Sequence, residues 1–406
     1  MRLRNLMEGA ALPSHTPAKD YVHYQHNDAF SLCRWTAKES YQFMYSRPWQ
    51  RVNCFYLELV NGRRTLSELF PKEKHAIHDT DRTLDVYNYP SASLPNEQRT
   101  GRWARLTFKI ILSYHGYSFD GWQKQPGLNT VQGLIENSLG VFIDEKKALQ
   151  LKEKNLPRDG CAVVAGRTDK GVSALGQVCS FYTWRKEVEA EDIMEAINDS
   201  APGKLRVTSV SQVSREFHPN FSAKWRRYLY IFPLNHEYRD REAFKSEKND
   251  FCGDNCLDDQ SGMQTGCKPL NFEVSRVSQL LLHLEGKLLS FRMFARDTKA
   301  SRSIGPPTEC FIFHARAAEA YLPCSEEETK SKIMCVELVA DRFLRKMVRV
   351  LVATAIREAA AGADEDMLLQ LMGATCRRAT APPAPPDGLC LVDVGYTEFD
   401  RKVCLI

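Results

Sequence analysis

The spacing of hydrophobic residues changes at about residue 105, and the change divides the chain. Ahead of it, Tyr41, Met44, Trp49, Val52, Phe55, Leu57 and Val60 recur at helix-like intervals, which predicts one or two amphipathic helices between Trp35 and Val60. Such helices form either a small cap or a module that binds RNA or a partner. The polar stretch DTDRTLDVYNYPSASLPNEQRTGR then reads as a linker. From Leu106 onward, LTFKIILSY, CAVVA, GQVCSFYTW and RRYLYIFP alternate or run apolar over strand-like lengths. Between them, TVQGLIENSLGVFI carries Val131, Leu134, Ile135, Leu139 and Phe142 at helical spacing, and AEDIMEAINDS reads as a helix with acids in its first turn.

Residues 235–270 are charged and short of large aliphatics, the texture of an insertion. Beyond them the pattern resumes: FEVSRVSQLLLHLEGKL predicts a helix, MCVELVA a strand, DRFLRKMVRVLVATAIREAAAG a long helix, EDMLLQLMGA another helix and GLCLVDVGY a last strand. The expected organisation is an N-terminal extension over 1–104, partly helical or disordered, a first half over 105–234, the insertion, and a second half over 271–400. Two mixed units in succession suggest an α+β protein with antiparallel sheets and helices on one face.

Composition narrows the class without naming a function. With 406 residues the chain has room for two or three domains. Apolar residues at 43% and charged residues at 26% are ordinary globular usage. Lys+Arg minus Asp+Glu is 55 − 51 = +4, which permits nucleic-acid binding without arguing for it. Thirteen scattered cysteines, an odd number, point to a reducing intracellular compartment. The most apolar helical run, Met347–Ile356, is too short to span a bilayer.

Three local patterns could carry chemistry. In Gly166-Arg167-Thr168-Asp169-Lys170-Gly171 a carboxylate sits between two cations, which favour its ionised form, and glycines at both ends let the backbone turn tightly. Asp169 is then either a nucleophile or general base, or a turn aspartate bonding its own backbone. Arg349 lies in a helix apolar nearly all round, so it needs a carboxylate from elsewhere; Asp169, Glu337 and Asp341 are the candidates. Strand alternation puts Arg226, Tyr228 and Tyr230 on one face and Arg227, Leu229 and Ile231 on the other. The first face is either a surface for bases and phosphates or a set of ordinary cross-strand tyrosines. Cys252, Cys256 and Cys267 have a loose look of zinc ligands, but three are not four, and the C-x3-C-x10-C spacing lacks the paired form; no metal is assigned.

Taken in order along the chain, these patterns resemble the TruA-type family of tRNA pseudouridine synthases. The resemblance is carried by Tyr114 to Gln123 with Thr130-Val131-Gln132, by Ala165 to Val172, by Arg226 to Tyr230, by Phe291 to Phe294, by Phe343 to Arg349, and by Thr380-Ala381-Pro382 with Gly388-Leu389. It implies a pseudouridine synthase fold: two ferredoxin-like halves sharing a central, mostly antiparallel sheet with a basic cleft. It also implies a cofactor-free isomerase acting on uridines in the anticodon stem-loop of tRNA, around positions 38 to 40, and a homodimer that reads tRNA by shape. Asp169 matches the family's catalytic aspartate, Tyr228 the tyrosine against the target base, and Arg349 the arginine that pairs with the aspartate. Arg167, Thr168, Lys170, Gln123, Arg226, Arg227, Phe294 and Arg345 are the substrate-binding candidates. His115, Lys170 and Ser290 depart from the family's usual residues. The competing reading is a non-catalytic tRNA-binding protein or chaperone of the same fold. A hydrolase or phosphotransferase using Asp169 is disfavoured because no carboxylate cluster for Mg²⁺ accompanies it.

Overall fold

The computed structural model describes residues 29–70, 104–234, 268–296, 307–323, 331–374 and 376–406. The linker read at 79–102 and the cysteines Cys252, Cys256 and Cys267 lie outside the described residues. Two helices come first, α1 (Ala37–Tyr45) and α2 (Trp49–Val60). A capping box starts α1: Thr36 N–H donates to Glu39 Oε2 at 2.7 Å and Glu39 N–H to Thr36 Oγ1 at 3.2 Å. Then come β1 (Leu106–Tyr114), α3 (Val131–Ser138), α4 (Glu145–Glu153), β2 (Val163–Val164), β3 (Ser173–Thr183), α5 (Ala190–Asn198), β4 (Leu205–Gln212) and β5 (Trp225–Pro233). Beyond residue 268 follow α6 (Val274–Leu282), β6 (Leu288–Ser290), β7 (Glu309–Leu322), β8 (Ser331–Ala340), α7 (Met347–Ala361), α8 (Met367–Met372) and β9 (Leu389–Gly395).

The strands form one sheet in the order β4-β1-β3-β9-β5-β8-β7-β6, with β2 paired to β3. The α+β class and the mostly antiparallel sheet are as expected. Every strand pairing is antiparallel except β3 with β9, a parallel seam of two residue pairs, Ser173 with Cys390 and Ala174 with Leu391. No helix among the described residues is long and apolar enough to cross a membrane.

Helices cover both faces of the central strands, not one. On β5, Tyr230 and Phe232 join a core with α6, α7 and Met44 of α1, while Leu229 and Ile231 join another with Val52, Phe55, Tyr56 and Leu59 of α2. Both residue parities on β5 and β8 are apolar, so each face needs a partner. The chain's own helix α2 supplies the second one.

Four elements escaped the pattern: α4, β4, β6 and β7. In β7 the run HARAAEA puts alanines where strand sequences usually carry branched residues. Packing explains it. Ala315 N–H donates to Glu285 Oε1 at 2.8 Å and Ala317 N–H to Ser278 Oγ at 3.1 Å, so α6 and the turn after it sit close against this strand. The long helix begins at Met347 and not at Asp341, because Lys346 adopts φ +60°. That left-handed conformation costs a non-glycine residue roughly 1–2 kcal/mol and ends the preceding loop abruptly.

Helix α7 is buried almost throughout, yet it carries Arg349, Arg357 and Glu358. Glu358 is fully buried and accepts from Arg34 Nε at 2.9 Å and from Arg357 Nε at 2.8 Å, so it ties the segment before α1 to the core. Removing one member of such a network leaves buried charge uncompensated. Glu358→Gln is expected to lower the unfolding free energy by about 3–5 kcal/mol in urea titrations. The exposed pair Arg63–Glu58 (3.1 Å) provides the contrast, where Glu58→Gln is expected to change stability by about 1 kcal/mol or less.

Candidate active site

The connection from β2 to β3 carries Asp169, and its backbone is held from several directions. Gln177 Nε2, on β3, donates to Gly166 O at 2.8 Å and to Tyr114 Oη at 3.2 Å. Tyr114 Oη shares a 2.7 Å hydrogen bond with Thr168 Oγ1, and Trp122 N–H donates to Thr168 O at 3.1 Å. Gly121 has φ +97°, and a Cβ there would lie 3.0 Å from Lys170 N and 3.2 Å from Asp169 C. Only glycine permits both that conformation and that approach. The backbone of the loop is thus held at several points, and its carboxylate side chain is 26% exposed towards a cleft.

Across the cleft stands the start of α7. Arg349 Nη1 donates to Asp169 Oδ2 at 3.3 Å, and Arg349 Nε to Ala384 O at 2.6 Å. Arg345 Nε lies 3.9 Å from Asp169 Oδ1. The two other proposed partners for Arg349 are engaged elsewhere. Glu337 pairs with Arg227 at 3.3 Å, and Asp341 Oδ1 accepts from the Phe311 and Arg342 N–H groups at 2.9 and 2.7 Å.

The cleft has a volume of about 940 Å³. Five cations line it, Arg167, Lys170, Arg345, Lys346 and Arg349, against two carboxylates, Asp120 and Asp169. The positive end of α7 opens onto the same space, so its potential favours an anion. Tyr228, half-buried on β5, forms part of the wall, with its ring edge-on to Phe343 at 5.0 Å. Burial pushes its phenol up to about 12; the Arg226 cation works against that shift and the Asp169 charge adds to it. Arg167 Nη1 donates to Gln123 Oε1 at 3.1 Å, and Lys170 Nζ meets Asp120 Oδ1 at 2.7 Å. Asp169, Arg349, Tyr228, Arg167, Thr168, Lys170, Gln123 and Arg345 therefore come together in one place.

Arg226, Arg227 and Phe294 do not join them. Arg226 is buried behind the wall, where Nη2 donates to Asn220 O at 2.9 Å and Asn220 Oδ1 at 2.7 Å and Nη1 donates to Asp341 O at 2.7 Å. It braces the loop and does not line the cleft. Strand alternation sends Arg227 to the opposite face, onto Glu337 and the Val403 carbonyl. Phe294 is fully buried against Phe291. The basic and aromatic face expected of β5 is covered, with Tyr230 Oη donating to Pro385 O at 2.9 Å; Tyr228 alone of its members lines the cleft. His218 and Asn220, not among the residues expected from sequence, also line the cleft. Their only signal was a His-Pro-Asn turn ahead of β5.

On the far side of the sheet, His314, Glu337 and Cys404 bring candidate metal-ligand atoms within 4.8 Å of one another. Glu337 there already accepts from Arg227 and from the Leu405 and Ile406 N–H groups at 2.8 and 2.9 Å, so a cation would have to displace existing donors.

A family model described as tRNA pseudouridine synthase matches residues 291–397. The chain is 31% identical over 291 residues to the tRNA pseudouridine synthase A of Lacticaseibacillus casei, an alignment covering 71% of this chain and 99% of that one. The protein of the same name from Dictyoglomus thermophilum is 29% identical, covering 72% and 100%. That from Pelodictyon phaeoclathratiforme is 28% identical, covering 71% and 98%.

Two measurements check the geometry of the cleft. Tyr114→Phe removes the hydroxyl shared by Thr168 and Gln177, and is expected to cost about 1–3 kcal/mol of stability, read by denaturation. For Tyr228 the folded pKa lies above the unfolded value of about 10, so its contribution to stability is complete below pH ~10 and fades as pH rises towards 12. Ultraviolet titration of wild type and Tyr228→Phe is therefore expected to show the same phenolate absorbance up to about pH 10.5.

Proposed function

The chain belongs to the TruA-type family of tRNA pseudouridine synthases, isomerases of uridine in tRNA, and we propose that it acts through Asp169 on uridines of the anticodon stem-loop, around positions 38 to 40. The observation that carries this reading is the Asp169 carboxylate, 3.3 Å from Arg349 at the wall of an open, cation-lined cleft. A stacked, paired uridine keeps its glycosidic bond out of reach of any side chain, so the target nucleotide is taken out of the stack. A volume of about 940 Å³ has room for an everted nucleotide. Arg167, exposed beside Gln123, is placed to meet the phosphates or the vacated stack.

The net reaction is redox-neutral. The bond from C1′ to N1 breaks, the uracil turns, a bond from C1′ to C5 forms, and the proton leaving C5 is matched by one gained at N1. Asp169 serves by attacking C1′, by adding to C6, or by taking a ribose proton towards a glycal. Each route uses the carboxylate anion, and Arg349 and Arg345 fix its position and compensate its charge. Tyr228, kept as a neutral phenol, offers a flat ring against the base beside the carboxylate. We also propose that two copies of the chain associate to read one tRNA.

The test uses full-length protein and a tRNA transcript. Pseudouridine is expected within the anticodon stem-loop, and Asp169→Asn is expected to lower its rate of formation by about a thousandfold while tRNA binding persists. Binding without product in either protein would instead favour the chaperone reading. Light scattering is expected to give the mass of a dimer. The affinity for tRNA should fall with salt, and Arg167→Ala should reduce the slope of log K against log salt by about one unit.

A further inference from the structure

Residues 384–388 stand directly behind the ion pair. Ala384 O accepts from Arg349 Nε at 2.6 Å, and Ala384 N–H donates to Arg349 O at 3.1 Å. Pro386 lies against Gly171, two residues beyond Asp169, so closely that a Cβ on the glycine would come within 2.9 Å of Pro386 Cγ. One short segment thus touches both sides of the pair.

Its other side is held by α2. Asn53 Nδ2 donates to Asp387 Oδ1 at 3.0 Å, and Tyr56 Oη, fully buried, donates to Gly388 O at 2.7 Å. Trp49 presses on Gly388, where a Cβ would lie 2.9 Å from Trp49 Cζ3. α1 adds Tyr45, whose phenol is raised by burial and drawn back by the neighbouring Arg349 guanidinium. A helix that only covers an apolar face does this with leucine or methionine. Asn53 is buried with its Oδ1 lacking a hydrogen-bond partner among the described residues, which coverage alone does not explain.

We propose that α2 is a positioning element for the reaction: through Asn53 and Tyr56 it clamps residues 384–388, and through that segment it sets the placement of Arg349 against Asp169. Asn53 and Tyr56 are positioning residues, since neither lines the cleft. The inference rests on the catalytic reading of Asp169 and Arg349. A displacement of about 1 Å between reacting groups can cost around a hundredfold in rate, so a clamp at one remove has leverage on turnover.

The test measures single-turnover pseudouridine formation, tRNA dissociation constants and thermal unfolding on full-length protein. Asn53→Ala and Tyr56→Phe are each expected to lower the rate constant about tenfold, with the dissociation constant changed by less than about twofold. Leu59→Val, which trims the apolar face of the same helix and removes none of the polar contacts, is expected to keep the wild-type rate. A rate loss that simply follows the loss of thermal stability across the three variants would overturn the proposal, as would wild-type rates in Asn53→Ala and Tyr56→Phe. An active Asp169→Asn protein would instead remove the reading beneath it, so the two failures are distinguishable.

Discussion

A guanidinium at the start of an almost wholly buried helix has to find a counter-charge, and Arg349 finds it in Asp169 on the connection from β2 to β3. Much of the surrounding structure follows from that need. The Asp loop must be stiff, which the Tyr114–Thr168–Gln177 hydrogen bonds and the approach of Gly121 achieve. The helix must start late, which the left-handed Lys346 achieves. The carboxylate must remain open on one side, and the cleft provides that side.

Alternation along β5 divides the remaining work between the two faces of the sheet. Residues of even number face the cleft and the core beneath α7, and those of odd number face α2 and the C-terminal segment. Two neighbouring arginines on one strand thereby take unrelated roles: Arg226 braces the wall of the cleft, and Arg227 neutralises Glu337 on the far side. Neither arginine needs to touch a ligand for its charge to matter.

How much of this was legible in the sequence depended on whether local pattern or tertiary partnership decided each case. The lone cation in an apolar helix announced its need of an acid, and the acid is Asp169, though the same argument admitted Glu337 and Asp341. Period two sorted Arg226 from Arg227 but could not say that the first would be consumed by Asn220, a residue on a preceding loop. Alanines in β7 hid a strand because their fitness comes from the closeness of α6, which no window of sequence contains. Phe294 belonged to a recognisable motif, yet a phenylalanine with a free choice goes to the core. The spacing in 35–60 predicted helices; that one of them would close the second face of the sheet depended on apolar residues more than 270 positions away, such as Ile333 and Val392.

β9, the last described strand in sequence, lies in the middle of the sheet, between β3 and β5. A chain emerging from the ribosome therefore completes most of its secondary structure while the central slot is vacant, with the inner edges of β3 and β5 presenting unsatisfied peptide groups. The cleft does not exist until residues 389–395 arrive to bridge them. Between the synthesis of Pro233 and that of Leu389 the growing sheet has two open inner edges, an interval in which premature pairing of the flanking strands competes with correct closure.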